Sequence, residues 1–177
     1  MKLRFFTLLL LYPLLPLLSE TVEVKDHTYP KTETVFDVEW NLQGTHHFKY
    51  KIFFSIFTGA YYESTSGESE RLVFTYTRDI EANDLRKQAM KHLTSTNSEE
   101  TLSKYENLTE EIQGAYEDVR DGDRYSITVI NERGTWLSRN DEVVFTTDDV
   151  AFGKWYMDIW LGTPPISEEL KEALVNE

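Results

Sequence analysis

Strict alternation of large apolar side chains constrains this chain more than any other feature. After Thr32, the residues Phe36, Val38, Trp40 and Leu42 fall on one face, with Asp37, Glu39 and Asn41 on the other. Period two with aromatic and β-branched residues predicts a half-buried strand over Thr32–Leu42. Gly44 and Thr45 are placed to turn the chain. The next segment, Phe48 to Tyr62, is aromatic and nearly uncharged after Lys51, with Phe48, Tyr50, Ile52, Phe54 and Ile56 sharing a face. Phe53, Phe57 and Thr58 make its other face partly apolar, as expected of an inner strand covered on both sides. Gly59 marks a bulge or a close contact. A polar loop from Ser64 to Glu70 leads to Arg71–Arg78, where Leu72, Phe74 and Tyr76 point inward.

The period then lengthens to 3.6. Asn83 or Asp84 caps a helix with apolar positions at Leu85, Ala89, Met90 and Leu93. Ser98-Glu99-Glu100-Thr101 opens a second helical stretch, its acids favoured in the first turn. Leu102, Tyr105, Leu108, Ile112 and Val119 carry that stretch to Gly122, a suitable residue just past a helix end, with a break near Asn107 or Gly114. Tyr125–Val129, Thr135–Arg139 and Val143–Phe145 read as strands joined by turns at Asn131–Gly134 and Asn140-Asp141. Val150 to Pro165 is an amphipathic helix ending at Trp160-Leu161-Gly162 with a proline stop, and Ser167 opens a last short helix. Residues 20–31 are a polar lead-in. The order β-β-β-α-α-β-β-β-α-α lacks repeated βαβ units and predicts an α+β domain, an antiparallel sheet with helices on one face.

A chain of 177 residues suits one such domain, placed over residues 20–177. Lys2 and Arg4 precede an apolar, acid-free run from Phe5 to Leu18, the layout of a secretory signal with cleavage after Ser19. The run is shorter than the roughly 20 residues of a membrane span and holds Pro13 and Pro16. An uncleaved anchor is the alternative, and no stable span is expected once the signal is removed. The chain has no cysteine, which excludes a lipid-attached lipoprotein and suits an exported protein of a bacterial periplasm. The formal net charge is −13, and losing Lys2 and Arg4 makes the mature chain more acidic still. Such a surface repels phosphate backbones, so no nucleic-acid partner is expected.

Three blocks resemble the chalcone isomerase-like family, in its exported bacterial branch: LQGTHHFKYKIFFSIFTGAYY (Leu42–Tyr62), RLVFTYTRDIEANDL (Arg71–Leu85), and DRYSITVINERGTWLSRND running into AFGKWYMDIWLGTPPISEELKEAL. The resemblance implies an open-faced β-sandwich, a large antiparallel sheet covered on one face by a layer of helices, with a ligand cleft between the two. Its members include isomerases, fatty-acid-binding relatives and non-catalytic helpers, so membership implies architecture before activity.

The isomerase reaction needs a cation for a phenolate and donors for a developing enolate. The family's arginine position falls on Phe48; the nearest cations are His47, Lys49 and Lys51, and lysine lacks the planar grip of guanidinium. The strand threonine falls near Ile56 or Thr58. The tyrosine before the first helix has no counterpart between Ile80 and Leu85, and Glu142 is a poor match for the later polar residue. No isomerase activity and no catalytic residue are therefore expected. A second reading is a carrier for a fatty acid or other small apolar ligand, with Lys49, Lys51, Phe53, Phe57, Thr58, Tyr61 and Met90 lining the cleft. A third is an assembly module of the cell envelope, using Trp136, Trp155 or Trp160 as contacts. No cofactor or metal is expected: His46-His47 are read as solvated loop residues, and Asp118–Asp123 lacks the spacing of a calcium loop.

Overall fold

The computed structural model describes residues 19–51 and 53–175. Seven strands form one antiparallel sheet in simple sequence order: β3 (Thr32–Val35), β4 (Val38–Tyr50), β5 (Phe54–Ser64), β6 (Glu70–Tyr76), β7 (Arg124–Ile130), β8 (Gly134–Arg139) and β9 (Glu142–Thr147). The connection from β6 to β7 holds α1 (Ala82–Thr96), α2 (Glu99–Lys104) and α3 (Glu106–Gly114), and the two strands still pair as antiparallel neighbours. After β9 come α4 (Val150–Leu161) and α5 (Glu168–Val175). The α+β sheet-and-helix architecture predicted from periodicity is the observed one. Among the described residues no helix is long and apolar enough to cross a membrane.

Several local expectations are corrected. The polar lead-in is a hairpin, β1 (Thr21–Val24) with β2 (His27–Pro30). The strand expected over Thr32–Leu42 folds back at Phe36-Asp37, both left-handed with φ of 54° and 60°. Two left-handed residues match the twist of a tight hairpin, but phenylalanine is a poor local choice for one. Tertiary contacts hold it: its ring lies 5.2 Å from that of Trp136, and its carbonyl accepts from Arg133 Nη1 at 2.8 Å. Gly44 and Thr45 do not turn the chain. They lie within β4 after a register shift between Leu42 and Gly44. Gly44 is needed for a close approach, since a Cβ there would sit 2.3 Å from the Ala173 carbonyl oxygen of α5.

The chain turns instead at Lys51–Phe53, which splits the expected long strand Phe48–Tyr62 between β4 and β5. Ile52 lies outside the described residues. The N-cap position of α1 is Glu81, not Asn83 or Asp84; its side chain makes no capping bond, and the Asp118 carboxylate instead accepts the first-turn amide of Ala82 at 2.8 Å. The second helical stretch divides at Tyr105 and ends at Gly114, while Gly122 sits with φ 90° in the turn before β7. Ser98 caps α2 as its sequence position suggests, and Asp149 caps α4 by accepting the Phe152 amide.

Alternation sorts the sheet into two faces. Tyr61, Leu72, Phe74, Tyr76, Tyr125, Ile127, Val129 and Leu137 pack against the helices, with Phe152, Tyr156, Met157 and Ile159 of α4 and Leu170 and Leu174 of α5. The other face buries Trp40, Ala60, Tyr62, Val73 and Ile130 with Tyr29 of the β1–β2 hairpin. Tyr29 is anchored there through its hydroxyl, bonded to Thr58 Oγ1 at 2.7 Å and to Thr75 Oγ1 at 3.0 Å.

The sheet curls. β3 and β6 have two strands between them, so a flat sheet would hold them about 14 Å apart. Yet Arg71 Nε on β6 reaches Glu33 on β3 at 2.9 Å. The register shifts in β4, at Leu42/Gly44 and again at Phe48/Lys49, are the irregularities that let strands bend in this way.

Candidate functional site

On the helix side of the sheet an aromatic lane runs inward from the base of the β4–β5 hairpin. Phe48 stacks on Phe57 at 5.0 Å, Phe57 meets Phe74 at 4.8 Å and Tyr76 at 6.2 Å, and Tyr76 meets Tyr125 at 6.4 Å. Tyr125 lies 4.9 Å from Tyr116, in the loop after α3. Behind Tyr116 is a buried polar cluster. Gln113 Nε2 donates to the Tyr156 hydroxyl at 2.7 Å, and Tyr156 donates to the Tyr116 hydroxyl at 3.5 Å. Gln113 Oε1 and Thr109 Oγ1 are buried with no hydrogen-bond partner among the described residues. They lie four positions apart on α3, hence on one face. Burial pushes the phenols of Tyr76, Tyr116 and Tyr156 well above their ordinary range, so they remain protonated and neutral.

An open groove of about 560 Å³ between the start of α1 and the segment after α3 has Tyr116 of this cluster in its lining, but neither Thr109 nor Gln113. Arg86 forms part of the wall, giving Nε to the Gln113 carbonyl at 2.8 Å and Nη2 to the Tyr116 carbonyl. Those contacts also satisfy carbonyls that a helix C-terminus leaves open. Glu81, Glu117 and Asp118 line the same groove and make it acidic. A second pocket of about 250 Å³ lies inside the curl of the sheet, between Glu33–Phe36 and Arg71, Ser138 and Asp141. Its floor is the Arg71–Glu33 pair, and Arg71 is the one charged side chain among the buried described residues.

The residues predicted to line a ligand cleft separate into three places. Phe57 and Tyr61 face the helices, and Met90 of α1 is half-buried against the same core. The Tyr61 hydroxyl donates to Glu63 and Glu70, each at 3.1 Å. Thr58, next to Phe57 on a strand, necessarily faces the other way and bonds Tyr29 and His27. Lys49, Lys51 and Phe53 stand exposed at the hairpin tip, because the turn there takes them out of the covered sheet.

The histidine reading is corrected too. His46 and His47 are half-buried on β4, not in a loop; His47 Nε2 lies 2.7 Å from Ser55 Oγ, and His46 Nε2 lies 3.7 Å from Glu169. Burial lowers the pKa of both. Among the described residues no His, Cys, Asp and Glu group is arranged to hold a metal. Asp118 and Asp123 are spent on local structure, Asp123 accepting from the Arg120 amide at 2.8 Å and Asn140 Nδ2 at 2.9 Å.

A chalcone isomerase-like family profile matches residues 21–176. The chain belongs to the chalcone isomerase-like family. Among solved structures, an Arabidopsis thaliana fatty-acid binding protein superposes with a TM-score of 0.68 at 9% identity, covering 89% of this chain and 96% of that one. Among curated protein sequences none matches significantly. Phe48 is a half-buried ring stacked on Phe57.

Thr109, Gln113, Tyr116, Tyr156 and Arg86 were not among the residues singled out from sequence. A signal existed: Tyr105, Thr109, Ile112, Gln113 and Tyr116 follow helical spacing, which sets two polar residues into an apolar stripe. The tryptophans considered as contacts are engaged within the fold. Trp155 Nε1 donates to Asn97 Oδ1 at 2.7 Å, Trp160 lies 5.0 Å from Phe74, and Trp136 packs with Phe36.

Proposed function

We propose that this chain is a non-catalytic carrier of a long-chain acid, or of a related apolar molecule with a small neutral head, taken up between sheet and helices. The observation that carries this reading is the pair of unpartnered polar atoms, Thr109 Oγ1 and Gln113 Oε1, beside the buried tyrosines Tyr116 and Tyr156. Buried polar groups are nearly always bonded, so two orphans one helical turn apart point to a partner supplied from outside the chain. An amide oxygen beside a hydroxyl complements a group that both donates and accepts, such as a protonated carboxylic acid or an alcohol. Acidic residues along the groove disfavour an ionised head. The description of the Arabidopsis protein of the same fold as a fatty-acid binding protein supports the same ligand class. Burying about ten methylenes contributes roughly 8 kcal/mol before the costs of association, so the head group sets orientation more than affinity. Phe48, in place of a cation, supports the absence of catalysis.

Native mass spectrometry of protein purified from cells is expected to show a co-purified lipid, and added long-chain acid or alcohol is expected to raise Tm. Thr109→Val should stabilise the ligand-free protein by about 1 kcal/mol, because it removes an unsatisfied hydroxyl. The same change should shrink the ligand-induced rise in Tm. Lipid-free protein whose Tm responds to neither ligand would refute the carrier. We also propose export, with cleavage after Ser19; the support is the Phe5–Leu18 run, which lies outside the described residues. Mass mapping of the mature N-terminus tests it, and a mature protein that keeps Lys2 and Arg4 would refute cleavage.

A further inference from the structure

The largest exposed apolar side chains gather at one point. Phe53 is 86% exposed, Tyr50 55% and Phe54 52%, and all three stand at the end of the β4–β5 hairpin. The final cross-strand pair is Tyr50 with Phe54, and Lys51 makes the turn in a left-handed conformation. Lys49 and Lys51 are exposed beside these rings, with Lys51 Nζ 5.3 Å from the Tyr50 ring centroid. The charge of this stretch opposes that of the rest of the molecule. The chain carries 31 acids against 18 Lys and Arg, yet no carboxylate occurs between Glu39 and Glu63. Asp26 and Glu169 are the acids felt by the base of the hairpin, through His47 and His46.

Three exposed rings beside two lysines set this tip apart on an otherwise acidic protein. We propose that the β4–β5 hairpin tip docks on an anionic lipid bilayer. Phe53 and Phe54 enter the interface between headgroups and acyl chains, where aromatic side chains partition favourably. Tyr50 suits the same depth, with an apolar ring and a polar end. Lys49 and Lys51 meet the acidic headgroups, while the acidic body faces away from a surface that repels it. The absence of carboxylates from this hairpin lets it approach such a membrane. The docked hairpin would also present Phe48 and Phe57, the outer end of the aromatic lane, toward the lipid. The proposal stands on the tip alone and does not require the carrier reading.

Flotation with vesicles of phosphatidylcholine, with or without phosphatidylglycerol, tests it with no fatty acid present. The full mature chain is expected to float with the anionic vesicles, and less as salt is raised. A lysine at an anionic surface is worth about fivefold in partitioning, so Lys49→Gln with Lys51→Gln should weaken binding about twenty-five-fold. Phe53→Ser with Phe54→Ser should abolish it. Both variants should keep the wild-type Tm, since these side chains are exposed. Failure of the wild type to float with either lipid would overturn the proposal, as would variants that float like the wild type. A dimer that the Phe53→Ser, Phe54→Ser variant loses, without vesicle binding, would assign the patch to self-association instead.

Discussion

Arg71→Ala is expected to lower the stability of this protein by about 3–5 kcal/mol, the usual cost of breaking a buried ion pair from one side. Arg71 is 4% exposed; its Nε bonds Glu33 at 2.9 Å, and its Nη1 bonds Thr128 at 2.7 Å and Ser126 at 3.0 Å. Removing the guanidinium strands the Glu33 carboxylate inside the curl and leaves two buried hydroxyls without their donor. The pair also ties β3 to β6 across two intervening strands, so the curl itself loosens. Glu33→Ala should cost clearly less, because Glu33 is 20% exposed and Arg71 would keep both hydroxyl partners. Arg71→Met combined with Glu33→Met should recover most of the loss, since no charge is then left buried. Urea unfolding of the three variants checks the order. An Arg71→Ala loss below about 1 kcal/mol would mean that the pair behaves like a surface salt bridge.

Gly153→Ala is expected to destabilise by about 2 kcal/mol, although helix propensity alone favours alanine by about 1 kcal/mol. α4 lies so close to the sheet that a Cβ at position 153 would sit 2.0 Å from Thr135 Oγ1 and 2.7 Å from Val129 Cγ2. Thr135 is fully buried and its hydroxyl donates to the Asp149 carbonyl at 3.0 Å, so it has no free direction in which to retreat. Overpacking of this kind typically costs 1–3 kcal/mol, which outweighs the propensity gain. Thr135→Ala in the Gly153→Ala background should restore part of the loss, by removing both Thr135 atoms that the new methyl meets. Thermal or urea denaturation decides between the two effects. A more stable Gly153→Ala protein would show that helix and sheet are less tightly apposed than described.

Different parts of the molecule were legible to different degrees. Leu72, Phe74 and Tyr76 point inward as their spacing predicts, and the Asn140-Asp141 turn lies where two turn-forming residues placed it. The lead-in was not legible: Thr21–Pro30 is polar by composition, and what makes it a hairpin on the sheet is the reach of Tyr29 to Thr58 and Thr75. The spacing of Phe36 predicts a strand residue, whereas its left-handed turn is enforced by Trp136 and Arg133, roughly a hundred positions away in sequence. For the candidate site, Phe57, Tyr61 and Met90 lie on the helix side of the sheet, whereas Thr58 and the hairpin-tip residues Lys49, Lys51 and Phe53 lie elsewhere.

By itself the sequence determined most element types, the inward positions of strands such as β6 and the family kinship, because side-chain periodicity and local caps act over a few residues. Only the tertiary structure decided where the long aromatic segment turns, which way the sheet curls, and that Thr109 and Gln113 sit unpartnered beside Tyr156. Those outcomes depend on contacts between residues far apart in the chain, such as Arg71 with Glu33 and Gly44 with α5. Such contacts come into being only when the strands and helices are packed together, so no local pattern encodes them.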